Sequence, residues 1–82
     1  MVAAAGRQLA ARERARAAAE GLSERELIVL RLLATNLTQR EIGRELFLSL
    51  NTVKSHTRSI FRKLGASSRS EAVARARTRG IL

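Results

Sequence analysis

Leu48 to Gly65, LSLNTVKSHTRSIFRKLG, is the stretch that decides how this chain folds. With residues advancing about 100° around a helix, Val53, Thr57, Ile60 and Leu64 fall in one narrow stripe, with Phe61 at its edge. Lys54, Ser55, Arg58 and Arg62 cluster on the far side. Such a helix buries one face and presents cations and a hydroxyl on the other. It is built to meet something anionic.

Composition narrows what that partner is. Eighty-two residues make one small domain with a modest core. The absence of cysteine excludes disulfides, thiolate metal sites and a cysteine nucleophile. His56 is the single histidine, so no metal site and no cofactor is expected. No apolar run reaches the roughly 20 residues that span a bilayer, and no secretory segment follows Met1, so no membrane association and a cytoplasmic location are expected. Residues 51–82 carry eight Lys and Arg against Glu71 alone, a net +7 out of +9 for the whole chain. A basic half on a small domain points to a polyanion. Phe47 and Phe61 are the only aromatics. Single-strand and sheet-based RNA readers need exposed rings on which bases stack, so duplex DNA is the better fit.

The rest of the chain reads as all-α, since it has no Pro and no alternating strand pattern. Ser23 with Glu26, Thr38 with Glu41 and Ser68 with Glu71 make three capping-box patterns. Leu22 with Leu27 and Leu37 with Ile42 are placed as hydrophobic staples for the first two. Ser49 caps the helix quoted above, with Thr52 three residues on. Asn36, Gly65 and Gly80 stand where left-handed stops are needed. The expected helices are 24–35, 39–47, 50–64 and 69–79, with a core of Leu27, Ile28, Leu30, Leu33, Ile42, Leu46, Phe47, Val53, Ile60, Leu64 and Val73. A connection of about Leu48 and Ser49 forces a helix-turn-helix, and Gly43 stands where the second helix needs a small residue for close approach. Residues 1–21, rich in Ala and Arg, read as a linker or helical arm with little to dock by. Glu13, Glu20 and the lack of Ser there argue against a transit peptide.

From Leu22 to Leu82 the chain resembles the LuxR-type (GerE-like) helix-turn-helix domain of bacterial transcription regulators. Leu22, Glu24, Arg25, Glu26, Val29 and Leu30 carry the likeness in the first helix, and Glu41, Ile42 and Leu46 in the second. Beyond them it rests on Ser49, Thr52, Val53, Lys54, His56, Ile60, Lys63, Leu64 and Arg69. Gly43 stands where the family usually has Ala, Ala66 where a branched aliphatic is common, and Leu50 where a polar residue or Pro is frequent. The resemblance implies a four-helix domain whose third helix enters the major groove and whose last helix forms a homodimer contact. Residues 22–82 are then the DNA-binding domain. On this sequence Lys54, Ser55 and Arg58 would face base edges. Thr38, Thr52, His56, Arg62 and Lys63 would hold phosphates, and Ala72 and Ala76 would make the dimer contact.

Each of these residues has a plainer role open to it. Lys54 and Arg58 are solvated charges in most proteins, and Ser55 is small enough simply to permit close approach. His56 borders the apolar stripe, and Ala72 and Ala76 suit packing within their own domain. Arg75 and Arg79 are like charges at i, i+4, more easily explained near DNA. Two other functions compete with a regulator's output domain. One is a sigma-factor-like promoter module bound to RNA polymerase; the other is a helical adaptor for an acidic protein. An enzyme is not expected, because no nucleophile, base and oxyanion site can be assembled.

Overall fold

Ser23, Thr38, Ser49 and Ser68 each adopt the extended backbone of a helix cap and accept the N–H three residues on. Those caps fix where the helices begin. The computed structural model describes residues 2–82, with side chains from residue 11 onward. Its helices are α1 (Val2–Ala19), α2 (Glu24–Leu33), α3 (Gln39–Leu46), α4 (Leu50–Leu64) and α5 (Arg69–Thr78). The all-α expectation holds, with the arm adding a fifth helix to the expected four.

The boxes at Ser23–Glu26 and Thr38–Glu41 are complete in both directions. The third is half made. Ser68 accepts from the Glu71 N–H, but the Glu71 carboxylate turns to Arg75 at 3.3 Å. Asn36 does not stop α2 in a left-handed turn. The helix ends at Leu33, and its last carbonyls are taken from outside it. Thr35 Oγ1 donates to the Leu32 carbonyl, and Arg69 donates Nε to Leu33 O at 2.9 Å and a guanidinium N–H to Thr35 O at 2.8 Å. A cation on a helix C-terminus also complements its dipole, so Arg69 ties the start of α5 to the end of α2.

The α3–α4 connection is the tightest feature of the fold. The Leu48 N–H donates to the Gly43 carbonyl at 2.8 Å, and Phe47 takes the left-handed conformation (φ 56°, ψ 40°). This is a Schellman stop. A Cβ on Gly43 would stand 2.6 Å from the Leu48 carbonyl oxygen and 3.5 Å from a Val53 methyl, so the departure from the family's usual Ala has a physical counterpart here. The expectation that Phe47 is core is overturned: its ring is 95% exposed, because the left-handed turn points it outward, while Leu48 turns partly inward. Ile28 is also outside, at 40% exposure, with Val29 buried in its stead; Leu46 is half-buried.

The remaining expected core residues are buried, joined by Ala17, Leu22, Val29, Ala72, Ala76 and Ile81. α4 packs against α2, α3 and α5, and α1 packs on α2. The arm docks after all at its C-terminal end. Ala17 is buried, Glu13 pairs with Arg31 at 2.8 Å, Glu20 pairs with Arg79 at 3.1 Å, and the Arg16 stem lies against Gly80. Alanine allows a close approach without any large aliphatic, and the half-exposed pairs add under about 1 kcal/mol each.

One carboxylate lies inside this packing. Glu26, 5% exposed, accepts the Ser23 N–H at 2.9 Å, the Ser59 hydroxyl, and Lys63 Nζ at 2.7 Å. Burial pushes its pKa up, but hydrogen bonds from Lys63, Ser59 and Ser23, with the Lys63 charge, outweigh it and hold the pKa at about 2 against an ordinary 4.5.

Two consequences can be measured. The folded pKa of Glu26 is depressed, so its contribution is complete above the unfolded value near 4.5 and drains away as pH falls toward 2. Urea unfolding across that window should lose roughly 3 kcal/mol, and Glu26→Gln should flatten much of the loss; an unchanged acid limb would contradict the assignment. Phe47 holds a left-handed position that Gly21, Gly65 and Gly80 hold at other turns. Phe47→Gly should therefore raise stability by about 1 kcal/mol, and a fall in the urea midpoint would show that the ring contributes to the fold.

Candidate nucleic-acid interface

The buried stripe of α4 is the one read from the sequence: Val53, Thr57, Ile60 and Leu64, with Phe61 half-buried. The Thr57 hydroxyl is satisfied within the helix, donating to the Val53 carbonyl at 2.8 Å. Docking that stripe turns Lys54, Ser55, Arg58 and Arg62 to solvent, all four exposed. Asn51 joins them, exposed and one turn before Lys54 and Ser55. Asn51 is not among the residues expected from the sequence, although the spacing 51, 54, 55, 58, 62 marks a single helical face.

The electrostatics separate this face from the paired cations, although arginines of other helices, Arg25, Arg40, Arg44 and Arg77 among them, are also outside the salt bridges found among the described residues. Among the described residues, salt bridges engage Arg31, Lys63, Arg75 and Arg79, and Arg69 is spent on carbonyls. Among the described residues, Lys54, Arg58 and Arg62 have no carboxylate within salt-bridge distance. α4 itself contains no acid. Three cations spaced four residues apart thus lie along about 12 Å of helix with their charge unbalanced.

The remaining expected residues lie around this stripe with different degrees of freedom. Thr52 and His56 are half-buried at its flank. Thr52 Oγ1 lies 2.9 Å from Ser49 Oγ, which also accepts the Thr52 N–H. Two hydroxyls sharing one hydrogen bond leave one proton for an outside acceptor. Thr38 is exposed at the start of α3, where its oxygen accepts the Glu41 N–H at 3.1 Å and its own N–H goes to Glu41 Oε1 at 2.8 Å. The Thr38 N–H, and then the Thr38 side chain, hold the Glu41 carboxyl below its ordinary range.

Two expectations meet a different environment. The Lys63 ammonium, assigned to phosphate, is held by the buried Glu26 carboxylate. Ala72 and Ala76, assigned to a dimer contact, are completely buried against their own core. The outward side of α5 is instead Ser70, Ala74 and Arg77, all exposed, beside a shallow groove floored by Leu33 and Val73. No group of three or more His, Asp or Glu side chains able to hold a metal occurs among the described residues, nor a helix long and apolar enough to cross a membrane.

Comparison with known proteins agrees with this architecture. The family "Bacterial regulatory proteins, luxR family" matches residues 20–76. The chain is 49% identical over 61 residues to the transcriptional regulatory protein YdfI of Bacillus subtilis, covering 74% of this chain and 29% of YdfI. It is 47% identical over 53 residues to the transcriptional regulatory protein LiaR of the same organism, covering 65% of this chain and 25% of LiaR. The spore germination protein GerE of Bacillus subtilis is 44% identical over 52 residues, with 63% of this chain and 70% of GerE covered. The chain thus spans under a third of the length of the first two relatives. No solved structure matches significantly. A family match over more than half of the chain, falling on these capped helices and this turn, establishes that the chain belongs to the luxR family of bacterial regulatory proteins as a LuxR-type helix-turn-helix DNA-binding domain.

Proposed function

We propose that this domain binds duplex DNA sequence-specifically, with α4 in the major groove, as the output module of a cytoplasmic transcription regulator. The observation that carries the reading is the unbalanced row Lys54, Arg58 and Arg62 on one exposed face of an acid-free helix. Lys54 and Arg58 suit the N7 and O6 acceptors of guanine, Asn51 the N6 and N7 of adenine, and Ser55 either edge. Arg62, His56, Thr52 and the Thr38 hydroxyl hold phosphates and fix register without reading sequence. A helix N-terminus adds its own attraction for phosphate at α3. Lys63 leaves the phosphate group, because its charge is already met by Glu26.

A single reading helix covers only a few base pairs. Two copies on inverted half-sites about one helical turn apart would multiply the affinity. The exposed side of α5 around Ser70, Ala74 and Arg77 is the proposed contact, in place of the buried Ala72 and Ala76. A groove lined by Ser70, Ala74 and Arg77 lies beside it.

Readers and anchors should respond differently to truncation. Lys54→Ala or Arg58→Ala should cost roughly 1–3 kcal/mol on the preferred duplex and relax its base preference. Arg62→Ala should weaken all duplexes alike and lower the slope of log K against log salt by about 0.9. Fluorescence anisotropy at several salt concentrations gives both quantities. Equal behaviour of the two classes would remove the division, and no effect from any of the three would move the interface off α4.

A further inference from the structure

We propose that Glu26 is the positioning residue of the reading helix, holding α4 in rotation and withdrawing Lys63 from the DNA. The inference rests on the reading of α4 as the DNA-contacting helix and assigns a mechanism to its orientation. α4 is held to the domain mainly by Val53, Ile60 and Leu64, whose apolar contacts are non-directional. The Thr57 hydroxyl bonds within its own helix. Among the described residues, the only side-chain hydrogen bonds from α4 to another helix run from Ser59 and Lys63 to Glu26. These donors are one turn apart on α4, and each stands next to a cation of the exposed face, Arg58 or Arg62.

Glu26 is itself fixed. Its carboxylate accepts the Ser23 N–H while the Ser23 hydroxyl accepts the Glu26 N–H, so the acceptor is clamped to the first turn of α2. One buried carboxylate thereby joins the start of one helix to two successive turns of another. The geometry matters because base recognition tolerates displacements of only about 0.5 Å. A 20° roll of α4 would carry an extended arginine tip, about 8 Å from the axis, through about 3 Å. Such a roll would stretch the hydrogen bonds that two successive turns of α4 give to Glu26, so this contact opposes it directionally. The same contact neutralises Lys63, which explains why a lysine beside the DNA-facing row is not part of it.

The test uses the whole chain and measures affinity for the preferred duplex and for a scrambled duplex across a salt series. It is run at a temperature where circular dichroism shows each variant folded. Glu26→Gln should lower preferred-site affinity at least tenfold while scrambled-duplex affinity changes less than threefold. A role in stability alone would scale both together. Ser59→Ala, which removes one tie and leaves the ion pair, should reduce the specificity ratio in the same direction by a smaller factor and covers the case in which Glu26→Gln does not fold. Lys63→Met should leave the scrambled-duplex salt slope unchanged, whereas Arg62→Met should lower it by about 0.9. An unchanged specificity ratio in folded Glu26→Gln or, where that variant does not fold, in Ser59→Ala would overturn the proposal, as would a fall of about 0.9 in the slope of Lys63→Met. A wild-type chain that did not discriminate between duplexes would sink the base-reading proposal, while the Lys63 slope would still decide the state of that ammonium.

Discussion

The approach of α3 to α4 at Gly43 is the constraint from which the rest of the architecture follows. The Gly43 carbonyl receives the N–H of Leu48, and the Leu48 carbonyl occupies the space a side chain on Gly43 would need. With only Phe47, Leu48 and Ser49 between the helices, the chain reverses within one turn, and Ser49 starts α4 at once. That closure sets the start of α4, with its Ser49–Thr52 pair, directly after the end of α3. The left-handed Phe47 is the cost of so abrupt a turn.

Glu26 acts on the same helix from the other side. Where the Gly43 turn fixes how α4 enters the fold, the buried carboxylate fixes how it is rolled. Breaking a buried, hydrogen-bonded pair by removing one partner is costly because the other is left stranded. This pair therefore favours one rotation over others rather than simply adding stability. Among the cations near α4, Lys63 is held by Glu26, whereas Lys54, Arg58 and Arg62 on its open side are left for a ligand.

Much of this was legible in the chain. The caps at Ser23, Thr38 and Ser49, the buried stripe of α4 and the family resemblance all depend on local spacing, which sequence displays directly. What was not legible depended on three-dimensional competition. Phe47 reads as core by composition, but the turn needs a left-handed residue at that place and sends the ring to solvent. Asn36 reads as a helix stop, but Arg69, more than thirty residues away, reaches the α2 carbonyls first. Ala72 and Ala76 read as a contact strip because small residues suit either a partner or a tight core, and only packing separates the two. Lys63 reads as one more cation of a basic helix, since nothing local reveals that a buried glutamate on α2 faces it. Asn51 alone could have been found earlier, from the face it shares with Lys54, Ser55 and Arg58.

The relatives place this domain among bacterial regulators, and the free cations of α4 supply the physical reason a duplex would bind there. The most direct measurement is selection of the purified chain on a pool of random duplexes, sequencing what it retains over successive rounds. Base reading by α4 should enrich a short site, arranged as an inverted repeat if two copies bind, and that enrichment should be lost when Lys54 and Arg58 are both replaced by alanine. Retention of the pool without any enriched sequence, or the same enriched site with both cations removed, would contradict it.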